Sequence, residues 1–265
     1  MHEAEAARRA RCWSGLRIAV ATLFPELFEP FLRTGVVGRA VSSGRVEIET
    51  LDIRLHGVDA RGSVDDYQFG GGAGMLMRPE PLFETLESVA WREGARVVLL
   101  APDGRRLDQD LARDLAGAEG IVLFCGRYGG VDARFVDRAV TDEVSVGDFV
   151  VSGGEIPAML LLEAVLRWVP GVLGRLESAV SDSFATGLLD YPRYTRPAVY
   201  RGESVPEDLV SGDHARVENW RFERALSRTR ARRPDLLDGV SVEDARDRFL
   251  GAVRQAARTK EREAP

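Results

Sequence analysis

Three consecutive stretches, ARVVLLAP, GRRLDQDLARDLAG and GIVLFCG, constrain this chain more than any other feature. Strand, helix and strand in succession predict an α/β domain built on a mainly parallel sheet. Upstream, LRIAVATLF reads as a buried first strand, PELFEPFLRTGVVGRAVSSG as a helix closed by Gly44, and VEIETLDIR as a half-buried strand. A polar loop and DDYQFGGGAGM lead to MRPEPLFETLESVAW, a helix with prolines near its start. Downstream, VDARFVDRAV reads as a helix and TDEVSVGDFVVSGGEIP as a strand feeding a glycine turn. PAMLLLEAVLRWVPGV is a strongly apolar helix stopped by Pro170 and Gly171. ESAVSDSFATGLLDYPRYTRP has little periodicity over a length unusual for a connector, and long ordered loops are commonly functional or linkers. HARVENWRFERALSRTRARRPDLL and VSVEDARDRFLGAVRQAART predict two helices of a small C-terminal domain.

With 265 residues, 45% of them hydrophobic, the chain has enough apolar material for one large domain or two modest ones. Residues 1–15 contain charge but no apolar run, and are expected to be a mobile extension rather than a secretory signal. The longest apolar stretch carries Glu163 and Arg167 in its middle, which argues against a membrane span. Cys12 and Cys125 lie far apart, and His2, His56 and His214 are scattered, so no disulfide framework or metal–histidine site is expected. A reducing cytoplasm fits this usage. The net charge of -6 is unevenly spread: thirteen Lys/Arg and ten Asp/Glu lie from Ser211 onward, leaving -9 for the rest.

Glycine concentrates in GGGAG, in CGRYGG and in VSGGE, each at or near a strand end. In an open α/β sheet such loops line the ligand crevice, because glycine lets a backbone approach a ligand closely. Tight turns needing positive φ are the plain alternative. None of the loops follows a phosphate-binding grammar: GxGxxG does not follow the first strand, and GxxxxGK[ST] and GxSxG are absent. What remains is a ligand held by backbone atoms and apolar walls.

The motifs DYQFGGGAGMLMRPEP, GRYGGVD, SVGDFVVSGGEIPAM, VPGVLG, DSFATGLLDYPRYTRP and SGDHARVENWR occur in this order. In that order they resemble the bacterial tRNA (guanine-N1)-methyltransferase family, TrmD, of the SPOUT superfamily, from about Leu16 to Leu237. The resemblance implies a parallel sheet with a deep trefoil knot, an exception to the unknotted rule, over residues 16–176. It also implies a linker over 177–197 and a helical tRNA-binding domain over 198–265. It implies S-adenosylmethionine bound by Leu99, Leu100, Pro102, Gly126, Tyr128, Ser145, Val146, Gly147, Asp148, Phe149, Val150, Val151, Gly153, Gly154 and Pro157.

The implied reaction is methyl transfer to N1 of guanosine 37, just 3′ of the anticodon in the tRNA anticodon stem-loop. Asp182 matches the family's proposed general base, and Arg167 the residue proposed to act on guanine O6. The bland alternatives are a helix cap for Asp182 and a solvated helix face for Arg167. Arg221, Arg224, Arg228 and Arg232 are spaced to share one helical face, near His214, and are expected to contact RNA; a charge stripe can also be only a solvated face. The resemblance also implies a homodimer with active sites at the subunit interface.

The chain departs from the family in one motif, where Gly129 and Ala133 stand in place of two glutamates. That leaves the part of Mg2+ open and makes impaired catalysis, with RNA or cofactor still bound, the main alternative. A SPOUT methyltransferase acting on other RNA is a third. Asp132, Asp148 and Asp182 are candidate compensating anions. Gln68-Phe69 for the usual Pro-Tyr, and Phe149 for a frequent Tyr, are milder changes.

Overall fold

The computed structural model describes residues 15–173 and 182–262, with side chains described as far as residue 252. Residues 1–14 of the expected extension and 177–181 of the expected linker lie outside them. The chain divides into two compact units, the first ending at Leu173 and the second beginning at Gly174.

The first unit opens with β1 (Leu16–Thr22), α1 (Phe28–Arg33), α2 (Gly35–Ser42) and β2 (Val46–Asp52). A single helix was expected between these strands. Instead a 3₁₀ turn at Pro25–Leu27 precedes two short helices, because Gly35 takes φ +64 and breaks the run. VEIETLDIR ends as a strand at Asp52, whose carboxylate caps the following 3₁₀ turn by accepting from Arg54 N–H. The glycine-rich loop proves to be an antiparallel hairpin of β3 (Asp65–Tyr67) and β4 (Met75–Met77). Then come α3 (Pro79–Ser88), β5 (Arg96–Arg106), α4 (Gln109–Ala116), β6 (Gly120–Cys125), α5 (Ala133–Ala139), β7 (Asp142–Ser145) and α6 (Glu155–Leu166).

GRR, the start of the expected helix GRRLDQDLARDLAG, instead continues β5 to Arg106. Gly104 permits this: a Cβ there would fall inside the backbone of Glu143 and Val144, so only glycine lets the strand lie against β7. The helix starts after Asp108, whose carboxylate accepts from Leu111 N–H at 2.8 Å.

β1, β2, β5, β6 and β7 form one parallel sheet in the order β2-β1-β6-β5-β7. A parallel sheet must be covered on both faces, and alternate residues show it. Ile18, Val20, Val98, Leu100, Ile121, Leu123 and Val144 pack with α1, α2, α4 and α6. Ala19, Ala21, Val97, Leu99, Val122 and Phe124 pack with α3 and α5. Phe135 of α5 is fully buried, edge-on to Phe124 and Phe83 with ring centroids 4.8 and 5.1 Å apart. Truncating such a side chain costs about 3–5 kcal/mol.

The second unit contains a small hairpin, β8 (Val199–Tyr200) and β9 (Glu203–Ser204), then α7 (Glu207–Val210), α8 (His214–Arg232) and α9 (Val242–Arg262). The hairpin and α7 carry too few residues to give a periodic signal. The first expected helix stops at Arg232, because Pro234 opens a 3₁₀ turn over Pro234–Leu237. Leu188, Phe222, Ala225, Leu226, Ala245 and Phe249 form the core. From Asp182 the aperiodic segment is folded onto α8. Phe184 N–H donates to Leu188 O at 2.7 Å, and Leu189 N–H donates to Thr229 Oγ1 at 2.9 Å.

Candidate active site

At the carboxyl ends of β5, β6 and β7 lies a cleft of about 670 Å³, within the size range of small-molecule sites. Three loops wall it. The first is a bulge in β5, where pairing with β7 skips from Leu100 to Arg105 and brings Ala101, Pro102 and Asp103 to the cleft. The second runs from Gly126 to Val131. Its Gly129 and Gly130 lie against the β3–β4 hairpin, with Gly129 N–H donating to Met75 O at 2.8 Å and Met77 N–H to Gly130 O at 2.9 Å. The third runs from Ser145 to Gly154 and ends at the amino end of α6.

Of the residues assigned to the cofactor, Leu99, Leu100, Pro102, Gly126, Tyr128, Ser145, Val146, Gly147, Phe149, Val150, Val151, Gly153, Gly154 and Pro157 line this cleft together. Asp148 does not: it is exposed, carried out of the wall by a turn in which Phe149 N–H donates to Gly147 O at 2.9 Å. Arg167 is also outside the lining, at the far end of α6 from Gly154. At 1.5 Å per residue that is about 20 Å along the helix axis. Asp182 belongs to the second unit. Its carbonyl accepts from Ala185 N–H at 3.3 Å within a turn.

Tyr128 sits at φ +58 with half its surface exposed. For a non-glycine residue this left-handed conformation costs on the order of 1–3 kcal/mol and is characteristic of ligand sites. What holds it is a feature the sequence reading missed. Arg127 turns inward and donates from Nε and Nη2 to the Glu155 carboxylate at 3.0 and 2.9 Å. Glu155 is 1% exposed and also accepts from Thr22 Oγ1 at 3.0 Å. The guanidinium lies over the Phe24 ring, 4.6 Å from its centroid. Breaking one side of such a buried pair costs about 3–5 kcal/mol. The neighbouring Cys125 thiol is pushed well above its ordinary pKa, by burial first and then by Glu155.

The compensating anions are arranged differently from expectation. Asp132 caps α5 through Arg134 N–H and forms a paired contact with the Arg134 guanidinium, at 2.8 and 2.7 Å, which lowers its pKa. The carboxylates on the cleft wall are instead Asp103, Asp137 and Glu143. Asp137 stands one helical turn beyond Ala133, and both line the cleft. Among the described residues no His, Cys, Asp and Glu side chains converge in a group able to hold a metal ion.

In the second unit, α8 carries His214, Arg221, Arg224, Arg228 and Arg232, the four arginines along one side of the helix. Arg224 and Arg232 are exposed and Arg221 and Arg228 half-buried. Arg221 lies over Tyr191 and Arg224 over Trp220, with guanidinium-to-centroid distances of 5.3 and 5.7 Å. Two of the arginines are thus also packing residues. Among the described residues no helix is long and apolar enough to cross a membrane.

An open parallel sheet with a ligand-sized cleft at its strand ends, walled by glycine loops, defines an α/β ligand-binding protein. Residues 16–239 match the family model described as tRNA (Guanine-1)-methyltransferase TrmD. Proteins named tRNA (guanine-N(1)-)-methyltransferase are similar along nearly their whole length. The one from Desulforudis audaxviator is 53% identical, covering 92% of this chain and 98% of its own. That from Moorella thermoacetica is 47% identical over 92% and 100%, and that from Brevibacillus brevis 45% identical over 91% and 99%. The chain belongs to the TrmD methyltransferase family.

Proposed function

We propose that this protein methylates N1 of guanosine 37 in tRNA, with S-adenosylmethionine as donor. The observation that carries the reading is the convergence of two of the three glycine loops, Gly126–Val131 and Ser145–Gly154, with the β5 bulge on one cleft in a chain of this family, the GGGAG turn lying outside that cleft's lining. The cleft fits the donor's adenosyl part: Leu99, Leu100, Pro102, Val131 and Val146 offer apolar contact, and Gly126, Gly153 and Gly154 let backbone amides and carbonyls come close. The donor supplies a methyl group on a sulfonium, which leaves as a neutral thioether as the bond to N1 forms.

The protein's share is alignment and proton removal. An ordinary aspartate, with a pKa near 3.9, is too weak a base for the N1–H of guanine alone. In this reading the Asp182 carboxylate takes that proton while the Arg167 guanidinium faces the charge developing on O6. The base leaves the anticodon-loop stack to reach the site, and the arginine stripe of α8 with His214 grips the RNA backbone.

The knot and the division of labour between residues 16–176, 177–197 and 198–265 belong to the same reading. So does a homodimer. Arg167, about 20 Å along α6 from Gly154, lies outside the lining of its own chain's cleft, and a second copy supplies a cleft for it. Phe149, Val150 and Val151, with Ile156 and Leu160 on the outer side of α6, offer an exposed apolar surface for that copy. A cytoplasmic location fits the buried, unpaired Cys125.

The test is methyl transfer from labelled S-adenosylmethionine to tRNA transcripts carrying G or A at position 37, with and without Mg2+. Transfer confined to the G transcript is expected. tRNA binding without transfer would replace the reading with that of a binding protein whose chemistry was lost with the carboxylates at 129 and 133.

A further inference from the structure

We infer that Arg127 and Glu155 form a positioning latch that sets the spacing of the cleft walls and thereby the affinity for the donor. The inference rests on the donor-binding reading above, and its evidence is a set of close fits between two motifs 28 residues apart.

Arg127 follows Gly126 at the end of β6, and Glu155 follows Gly153 and Gly154 at the start of α6. Each of the three residues from Gly153 to Glu155 answers a feature of the facing loop. A Cβ on Gly153 would occupy the space of the Arg127 side chain. A Cβ on Gly154 would lie 2.7 Å from Cys125 Cα, and Gly154 N–H instead donates to Gly126 O at 2.9 Å. Glu155 receives the guanidinium itself, through two nitrogens, while Nη1 donates to Ser152 O at 3.3 Å. Arg127 and Gly153 form an isolated antiparallel bridge. Thr22 and Phe24 join the end of β1 to the same point.

The GGE triplet is therefore the complement of CGR. Two glycines clear the path for a side chain and a backbone, and the carboxylate closes it. The two charges neutralise one another, so the latch brings no net charge to a ligand. It acts through position. With Arg127 drawn inward, the next residue, Tyr128, is left at φ +58 and lines the cleft. A guanidinium suits this task better than an ammonium, since its planar fork fixes orientation as well as distance.

The probe is S-adenosylhomocysteine, titrated calorimetrically into the full-length protein at 15 °C, with folding of each variant checked by circular dichroism. Arg127→Met and Glu155→Gln are expected to weaken binding at least tenfold, and Arg127→Lys to fall between them and wild type. In the transfer assay the KM for the donor should rise by more than kcat falls. A pair serving stability alone would lower the melting temperature and leave binding unmoved. Binding within twofold of wild type in Glu155→Gln and Arg127→Lys therefore overturns the latch, even if Arg127→Met fails to fold. A wild-type protein that does not bind the probe defeats the donor reading itself.

Discussion

Gly154→Ala is the most direct perturbation of the cleft. The added methyl would sit 2.7 Å from Cys125 Cα and 2.9 Å from Gly126 N, whereas carbon atoms pack at about 3.5–4.0 Å. The atoms it meets are backbone atoms of the central strand, so no side chain can rotate away. Relief requires the amino end of α6 to withdraw by roughly 1 Å, which stretches the 2.9 Å bond from Gly154 N–H to Gly126 O beyond hydrogen-bond range. Overpacking of this kind costs about 1–3 kcal/mol, and the lost hydrogen bond about 1 kcal/mol more. The sum, about 2–4 kcal/mol, lowers the melting temperature by roughly 4–16 °C for a unit of this size.

The same withdrawal opens the cleft, so affinity for S-adenosylhomocysteine should fall in step. The assay pairs thermal unfolding with calorimetric titration. Gly251→Ala serves as the control, because that glycine lies within α9 with nothing within 4 Å of an added Cβ. It should be neutral or stabilising by up to about 1 kcal/mol. A Gly154→Ala protein with unchanged melting temperature and affinity would show that the two walls are not in register as described.

Asp182→Ala should abolish methyl transfer while leaving S-adenosylhomocysteine binding within about threefold; wild-type turnover would remove Asp182 from the mechanism. Gly129→Glu restores the family's usual residue, and its Cβ would lie 3.0 Å from Met75 O. A small loss of stability, about 1 kcal/mol or less, should accompany a higher rate or a changed Mg2+ response, and the absence of both in the transfer assay would make the missing carboxylate unimportant. Arg96 holds Asp142 below the usual carboxylate range by donating to both of its oxygens, and Thr141 assists. A depressed native pKa gives stability that is complete above the unfolded value near 3.9 and is lost as pH falls through the native one. Asp142→Asn should therefore lower stability at pH 7 and flatten its decline below about pH 4 in urea titrations. Cys125, fully buried and held as the thiol, should resist thiol reagents in the native state and react on unfolding; fast native modification at this position would contradict its burial.

Buried parallel strands are written plainly in sequence, which is why β1, β5 and β6 stand out as apolar runs. Short range hides the rest. β3 and β4 have three residues each, and DDY and MLM carry no period long enough to read. Gly104 resembles a turn between strand and helix, and only its approach to Glu143 and Val144 shows why the strand continues through it. The cleft wall was legible through family motifs, but the exchange of Asp148 for Asp103, Asp137 and Glu143 was not. Which carboxylate faces a cleft depends on the turn at Gly147 and on the phase of α5. Arg127 and Glu155 are 28 residues apart, and no local rule pairs them. A signal was available in retrospect: two charged residues directly follow glycines at the ends of apolar segments, where an unpaired charge would be costly.

The strand order also bears on how the chain is made. β1 is synthesised first, yet its inner neighbour is β6, and Arg17 waits for Gly120 to emerge about a hundred residues later. At ribosomal rates of roughly 5–20 residues per second, that is an interval of about 5–20 s. Once β2 has emerged, β1 still has an open edge on its other side until β6 arrives, a template for pairing with the wrong strand. The central strand of the finished sheet is thus a late arrival, and the interval before it is when the sheet is most open to mispairing.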